Sequence, residues 1–113
     1  MALDSAHLPA PSPSGLVFFD RRELELLLRV YGRMVAAGHW RDYAMDALKD
    51  AAVFSIFRHA SETPIYRIEK RPALSQRQGA WSVTAHGGLV LRRGHELAQV
   101  LRVFDRVRFA VVE

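Results

Sequence analysis

A chain of 113 residues, 50% apolar and 25% charged, has the size and balance of one folded globular domain with one core, and two domains would not fit. The absence of cysteine excludes disulfides, thiolate zinc sites and cysteine nucleophiles, and no apolar run approaches a membrane span, so a soluble cytoplasmic protein without membrane contact is expected. The formal charge is +4, but between Arg58 and Arg93 seven basic residues stand against two acidic ones, a local +5, so the basic excess sits in the middle of the chain.

Residues 1–15 carry three prolines and no periodicity, which predicts a flexible arm ahead of a single domain over 16–113. Leu16 to Phe19 is a short apolar run, either a strand or a staple onto the helix that follows. Asp20 and Glu23 have capping-box spacing and open that helix. Leu24, Leu27, Leu28, Tyr31, Met34 and Val35 follow helical periodicity, Leu26 and Val30 widen the stripe, and Gly38 ends it. A stripe this wide calls for cover beyond the helix's own sheet.

Residues 42–48 read as a strand through the alternation of Tyr43, Met45 and Ala47, although Ala, Met and Leu also lend the segment helix propensity. Asp42, Asp46 and Asp50 share a side in either reading, as a solvated face or as part of a metal site needing ligands from elsewhere. Residues 52–58 are β-branched and aromatic on both parities, and 64–70 alternate, with Tyr66 and Ile68 on one face and Arg67 and Glu69 on the other. The polar stretch 59–63 joins them as a hairpin, the centre of the domain.

Residues 71–79 read as an exposed loop, 80–85 as a strand with Trp81, Val83 and Ala85 on one face, and His86-Gly87-Gly88 as a turn into 89–91. Arg92-Arg93-Gly94 then leads to a second helix over 95–106 that buries Leu97, Val100, Leu101 and Phe104. Residues 107–112 are a last strand or a fraying helix end. The fold class is α+β, an antiparallel sheet of four to five strands with two helices packed on one face.

No catalytic residue and no metal or cofactor site is legible. The five histidines lack ligand spacing, and no nucleophile elbow, phosphate-binding glycine loop or dinucleotide fingerprint occurs. An enzyme would need a constellation that spacing does not reveal. Fourteen of the sixteen basic residues are arginine, whose planar fork suits phosphate and carboxylate, though a GC-rich genome gives the same bias. Arg67, Lys70, Arg71, Arg77, Arg92 and Arg93 are therefore candidate contacts for nucleic acid, another polyanion or an acidic protein. Tyr66 and Trp81 would be aromatic platforms beside them, or else core. A homodimer or adaptor subunit is the alternative, because the wide helix stripe and the doubly apolar strand leave hydrophobic surface to cover.

The blocks LLLRVYGRMVAAGHWRDYAMD, AVFSIFRHASETPIYRIEKRPAL, QGAWSV and LRRGHELAQVLRVFD, spread over Phe18 to Asp105, resemble a family of short alphaproteobacterial proteins catalogued as a domain of unknown function. That resemblance implies a bacterial, cytoplasmic, self-contained domain and supplies no activity, cofactor or site residue.

Overall fold

Asp20 caps the first helix from both directions. Its Oδ1 accepts the Glu23 N–H at 2.8 Å while Glu23 Oε1 accepts the Asp20 N–H at 2.8 Å, satisfying two donors that a helix start leaves orphaned. Helix α1 runs Arg21–Ala36, and Gly38 takes the left-handed φ of +84° that turns the chain out of it. The structure, a computed structural model, describes residues 15–59 and 63–105. The predicted arm and residues 107–112 lie outside them, apart from Gly15.

Five strands follow: β1 (Asp42–Ala47), β2 (Ala52–Phe57), β3 (Tyr66–Lys70), β4 (Trp81–Ala85) and β5 (Val90–Gly94). They form one antiparallel meander in chain order, so β1 and β5 are its edges. Residues opposite one another share a face. Phe54, Ile68 and Val83 lie in one such row, each at most 1% exposed, and form the centre of the core. Leu27 and Met34 of α1 cover them together with Leu97, Val100 and Leu101 of α2 (Leu97–Leu101) and Phe104 beyond it.

Tyr31 places α1 over the β1 side, its ring edge-on to Tyr43 at 4.8 Å and to Phe54 at 6.3 Å. Helix α2 rests on β4 and β5. Arg33 of α1 reaches Asp105 at 3.1 Å. The run before α1 is the staple rather than a strand: Val17 N–H bonds the Leu48 carbonyl at 2.8 Å, and Phe19 stacks on Trp81 with centroids 6.1 Å apart.

Two boundaries differ from the sequence reading. Arg92-Arg93-Gly94 is strand rather than connector, and the helix starts at Leu97, not His95. Gly94 explains both. It lies opposite Trp81, and a Cβ there would stand 3.2 Å from Val100 Cγ2, so its bare backbone lets the strand run on while α2 closes over it. His95 is then taken up by a bond between Nδ1 and the Ser75 carbonyl at 3.1 Å.

Candidate polyanion surface

The sheet's second face carries no helix among the described residues. By register it presents Asp42, Ala44 and Asp46 on β1, Val53 and Ser55 on β2, Arg67 and Glu69 on β3, Ser82 and Thr84 on β4, and Arg93 on β5. Small side chains in the middle are screened by longer neighbours: Ser82, between Glu69 and Arg93, is only 3% exposed. The face is dipolar, acidic at β1 and richer in arginine from β3 to β5.

Two of the six predicted contacts are engaged inside the protein. Lys70 points to the helix face, where Nζ donates at 2.8 Å both to Glu23 Oε1 and to the Phe18 carbonyl, the two charged side chains being 18% and 19% exposed. A cation so enclosed holds the start of α1 to the sheet. Arg71 Nε donates to Glu69 Oε1 at 2.9 Å.

The other four are uncommitted. Arg67 on β3, Arg77 in the 71–79 loop and Arg92 on β5 are exposed and have no carboxylate partner among the described residues, but Arg92 lies opposite Val83 and so leaves the sheet edge on the helix face, away from Arg67 and Arg93. Arg93 is half-buried, and its Nη1 is shut from solvent without an acceptor, the one such side-chain atom among the described residues. A buried guanidinium donor without a partner is costly. Arg77 is held near β5, because its loop packs onto Gly94: Gly79, at φ +99°, lies so close to the Gly94 carbonyl that a Cβ would come within 2.2 Å of the oxygen.

Of the two readings of Tyr66 and Trp81, platform or core, the packing favours the core. Trp81 is 6% exposed under Phe19, and Tyr66 is half-buried with its ring against Phe104 at 5.1 Å and Trp40 at 6.1 Å. Both stand on the helix face, opposite in direction to Arg67, so neither offers a ring to a base beside the outer arginines. Alternation along β3 sends Tyr66 and Arg67 to opposite faces, and the large ring goes to the apolar side.

A feature that sequence spacing did not single out lies at the sheet end where β3, β4 and β5 meet. A cavity of about 200 Å³ is lined by Thr63, Pro64, Tyr66, Arg67, Thr84, Ala85, His86, Gly87 and Gly88. Gly87 and Gly88 take φ of +86° and +87°, left-handed values that disfavour any side chain and leave the corner walled by backbone. Burial pushes the Tyr66 hydroxyl above its usual pKa against the opposing effect of Arg58, so at neutral pH it is an uncharged donor. Arg67, Thr84, His86 and the bare glycine backbone at this corner are groups of the kind that suits an anionic oxygen. The sequence signal was the Gly87-Gly88 pair, which reads equally well as ordinary turn punctuation.

Among the described residues no group of three His, Asp or Glu side chains converges as a metal site, and no helix is long and apolar enough to cross a membrane. The family model described as "Protein of unknown function (DUF2794)" matches residues 17–101. No curated protein and no solved structure matches the chain.

Proposed function

The chain belongs to the DUF2794 family, whose description carries no activity, and we propose that it is a cytoplasmic, non-catalytic module that binds a polyanion, nucleic acid in the first place. The observation behind this reading is the sorting of the basic residues. Lys70 and Arg71 are paired with acids, whereas Arg67, Arg77, Arg92 and Arg93 have none among the described residues and lie on or beside β3 to β5. The cavity at Gly87-Gly88, which Arg67 also lines, supports the same reading.

Recognition of this kind is electrostatic. Stacking is not available from Tyr66 or Trp81, so affinity comes from phosphate contacts and sequence preference is weak. Three contacts, from Arg67, Arg77 and Arg93, make log affinity fall against log salt with a slope of about −2 to −3 on duplex. Mobility shifts with short single- and double-stranded DNA and RNA at two salt concentrations test the proposal. Binding that tightens at low salt and is lost on charge reversal at Arg67 and Arg93 is expected. Absence of any shift at low salt refutes it, and binding of one acidic protein without dependence on nucleic-acid length moves the reading to a protein partner.

A further inference from the structure

The two edges of the sheet are built differently. β5 carries Arg92 and Arg93, ends in Gly94, and pairs with β4 through a register shift at Val83/Thr84, devices that discourage another strand from adding there. β1 lacks the glycine end and the register shift, and its charges are Asp42 and Asp46, on the outer-face rows. Its six residues pair with β2 without interruption, contain no proline, lysine or arginine, and are exposed from Asp42 to Asp46.

Apolar surface gathers on the same side. Of eight exposed large hydrophobic residues among those described, Leu28 (40%), Val35 (38%), Tyr43 (36%) and Met45 (45%) belong to α1 or to the helix-face rows of β1. Leu28 and Val35 flank Tyr31 at helical spacing, and Tyr31 meets Tyr43 at 4.8 Å. The helix stripe and the strand edge therefore form one surface, the extra cover that the width of the stripe called for.

We propose that this surface is a two-fold homodimer interface, in which β1 pairs antiparallel with β1 of a second copy, centred on Met45. A lone peptide strand would satisfy the edge and leave Leu28 and Val35 in water. A second copy brings its own α1 to them. The hairpin bond from Leu48 N–H to the Ala51 carbonyl, at 2.8 Å, fixes the alternation along β1, so the main-chain groups of Tyr43, Met45 and Ala47 face outward; the Tyr43 N–H, bonded to Asp42 Oδ1 at 2.8 Å in the single copy, exchanges that side chain for the partner strand.

Charge selects the register. Opposed residues must share a face, which restricts the two-fold axis to a residue rather than the gap between two. Centred on Ala44, Asp42 of each copy would oppose Asp46 of the other, an unfavourable pairing of like charges made twice. Centred on Met45, Tyr43 meets Ala47, Ala44 meets Asp46, and Met45 meets its own copy. The two five-stranded sheets then run on as one, with both arginine-bearing faces on the same side.

The protein contains no cysteine, so single-cysteine variants of the full chain report the interface cleanly. Self-opposed residues at a hydrogen-bonded position have Cα atoms about 5.5 Å apart, within disulfide range. Met45→Cys is expected to oxidise to a covalent dimer at least about tenfold faster than Leu89→Cys or Ala44→Cys, whose residues are not self-opposed. Light scattering of the wild type should give twice the 12.8 kDa chain mass. Met45→Lys, at a side chain exposed in the single copy, should keep its circular dichroism and weaken dimerisation at least about tenfold by setting two ammonium groups opposite each other. A monomeric mass at every concentration overturns the proposal and leaves the edge to a strand of another protein. Equal crosslinking at Leu89→Cys, faster crosslinking at Ala44→Cys, or an undiminished Met45→Lys dimer overturns it as well.

Discussion

Replacing Lys70 separates structure from binding within one cluster of basic residues. Its Nζ makes two bonds of 2.8 Å, one to a carboxylate and one to a carbonyl, in a pair only 18% and 19% exposed. Exposed ion pairs contribute about 0–1 kcal/mol, and leaving a buried charge with no partner costs about 3–5 kcal/mol. Lys70→Ala falls between, because Glu23 Oε1 still accepts the Asp20 N–H after the ammonium is gone and only the Phe18 carbonyl loses its donor. The expected loss is about 2–3 kcal/mol, read as a lower urea midpoint at unchanged m-value. Glu23→Gln keeps the capping oxygen and removes the charge, so a double-mutant cycle with Lys70→Ala should return a coupling of about 1–2 kcal/mol. The salt slope of nucleic-acid binding, measured where the variant is still folded, should not change. Arg67→Ala should do the reverse, leaving the midpoint within about 0.5 kcal/mol and making the slope shallower by about one. A Lys70→Ala protein with wild-type stability, or one whose slope drops by a full contact, refutes the assignment of Lys70 to the scaffold.

Gly79→Ala should destabilise by more than about 3 kcal/mol in urea melts, since a Cβ at φ +99° would meet backbone atoms of Gly94 at 2.2 and 2.3 Å and neither strand end can yield cheaply. Phe104→Ala, at a fully buried ring 4.8 Å from Trp40 and 5.1 Å from Tyr66, should cost about 3–5 kcal/mol by the same assay. Burial raises the folded pKa of Tyr66 above the ordinary 10.0, so the folded state holds its proton longer than the unfolded chain does. The corresponding stability is complete below pH 10 and is lost as pH rises past it, and Tyr66→Phe should flatten that alkaline decline in pH-dependent melts.

What the sequence disclosed follows from where its signals are local. The capping pair Asp20 and Glu23, the alternation of Tyr66 and Ile68 against Arg67 and Glu69, and the α2 stripe each specify an element through neighbours in the chain, and each stands in the structure. The β1 strand over 42–47 prevailed over the helix propensity of Ala44, Met45 and Ala47 because pairing with β2 satisfies its main chain, a tertiary term that propensity omits. Long-range terms also governed the misreadings. Arg92 and Arg93 resemble a polar connector, yet the missing side chain of Gly94 lets the strand pass beneath Val100. The six candidate cations looked alike in sequence, and only the fold brings Glu23 to Lys70 across 47 positions. The orphaned Arg93 Nη1 and the cavity at Gly87-Gly88 depend on three strands meeting, for which no spacing rule exists.

The two proposed surfaces make separable demands. Asp42 and Asp46 stand on the outer face at β1, beside the proposed two-fold axis, while Arg67 and Arg93 stand on β3 and β5. A polyanion would therefore avoid the middle of a paired sheet and bind each copy separately on its wings. Linking two weak sites in this way raises affinity for a ligand long enough to reach both and does nothing for a short one. Met45→Lys should consequently weaken binding of long nucleic acid and leave an oligonucleotide that fits one wing unaffected, whereas Arg67→Ala should weaken both. Equal loss of short and long ligands on Met45→Lys would mean that the strand edge itself carries the binding, and that the acidic centre and arginine wings have no separate roles.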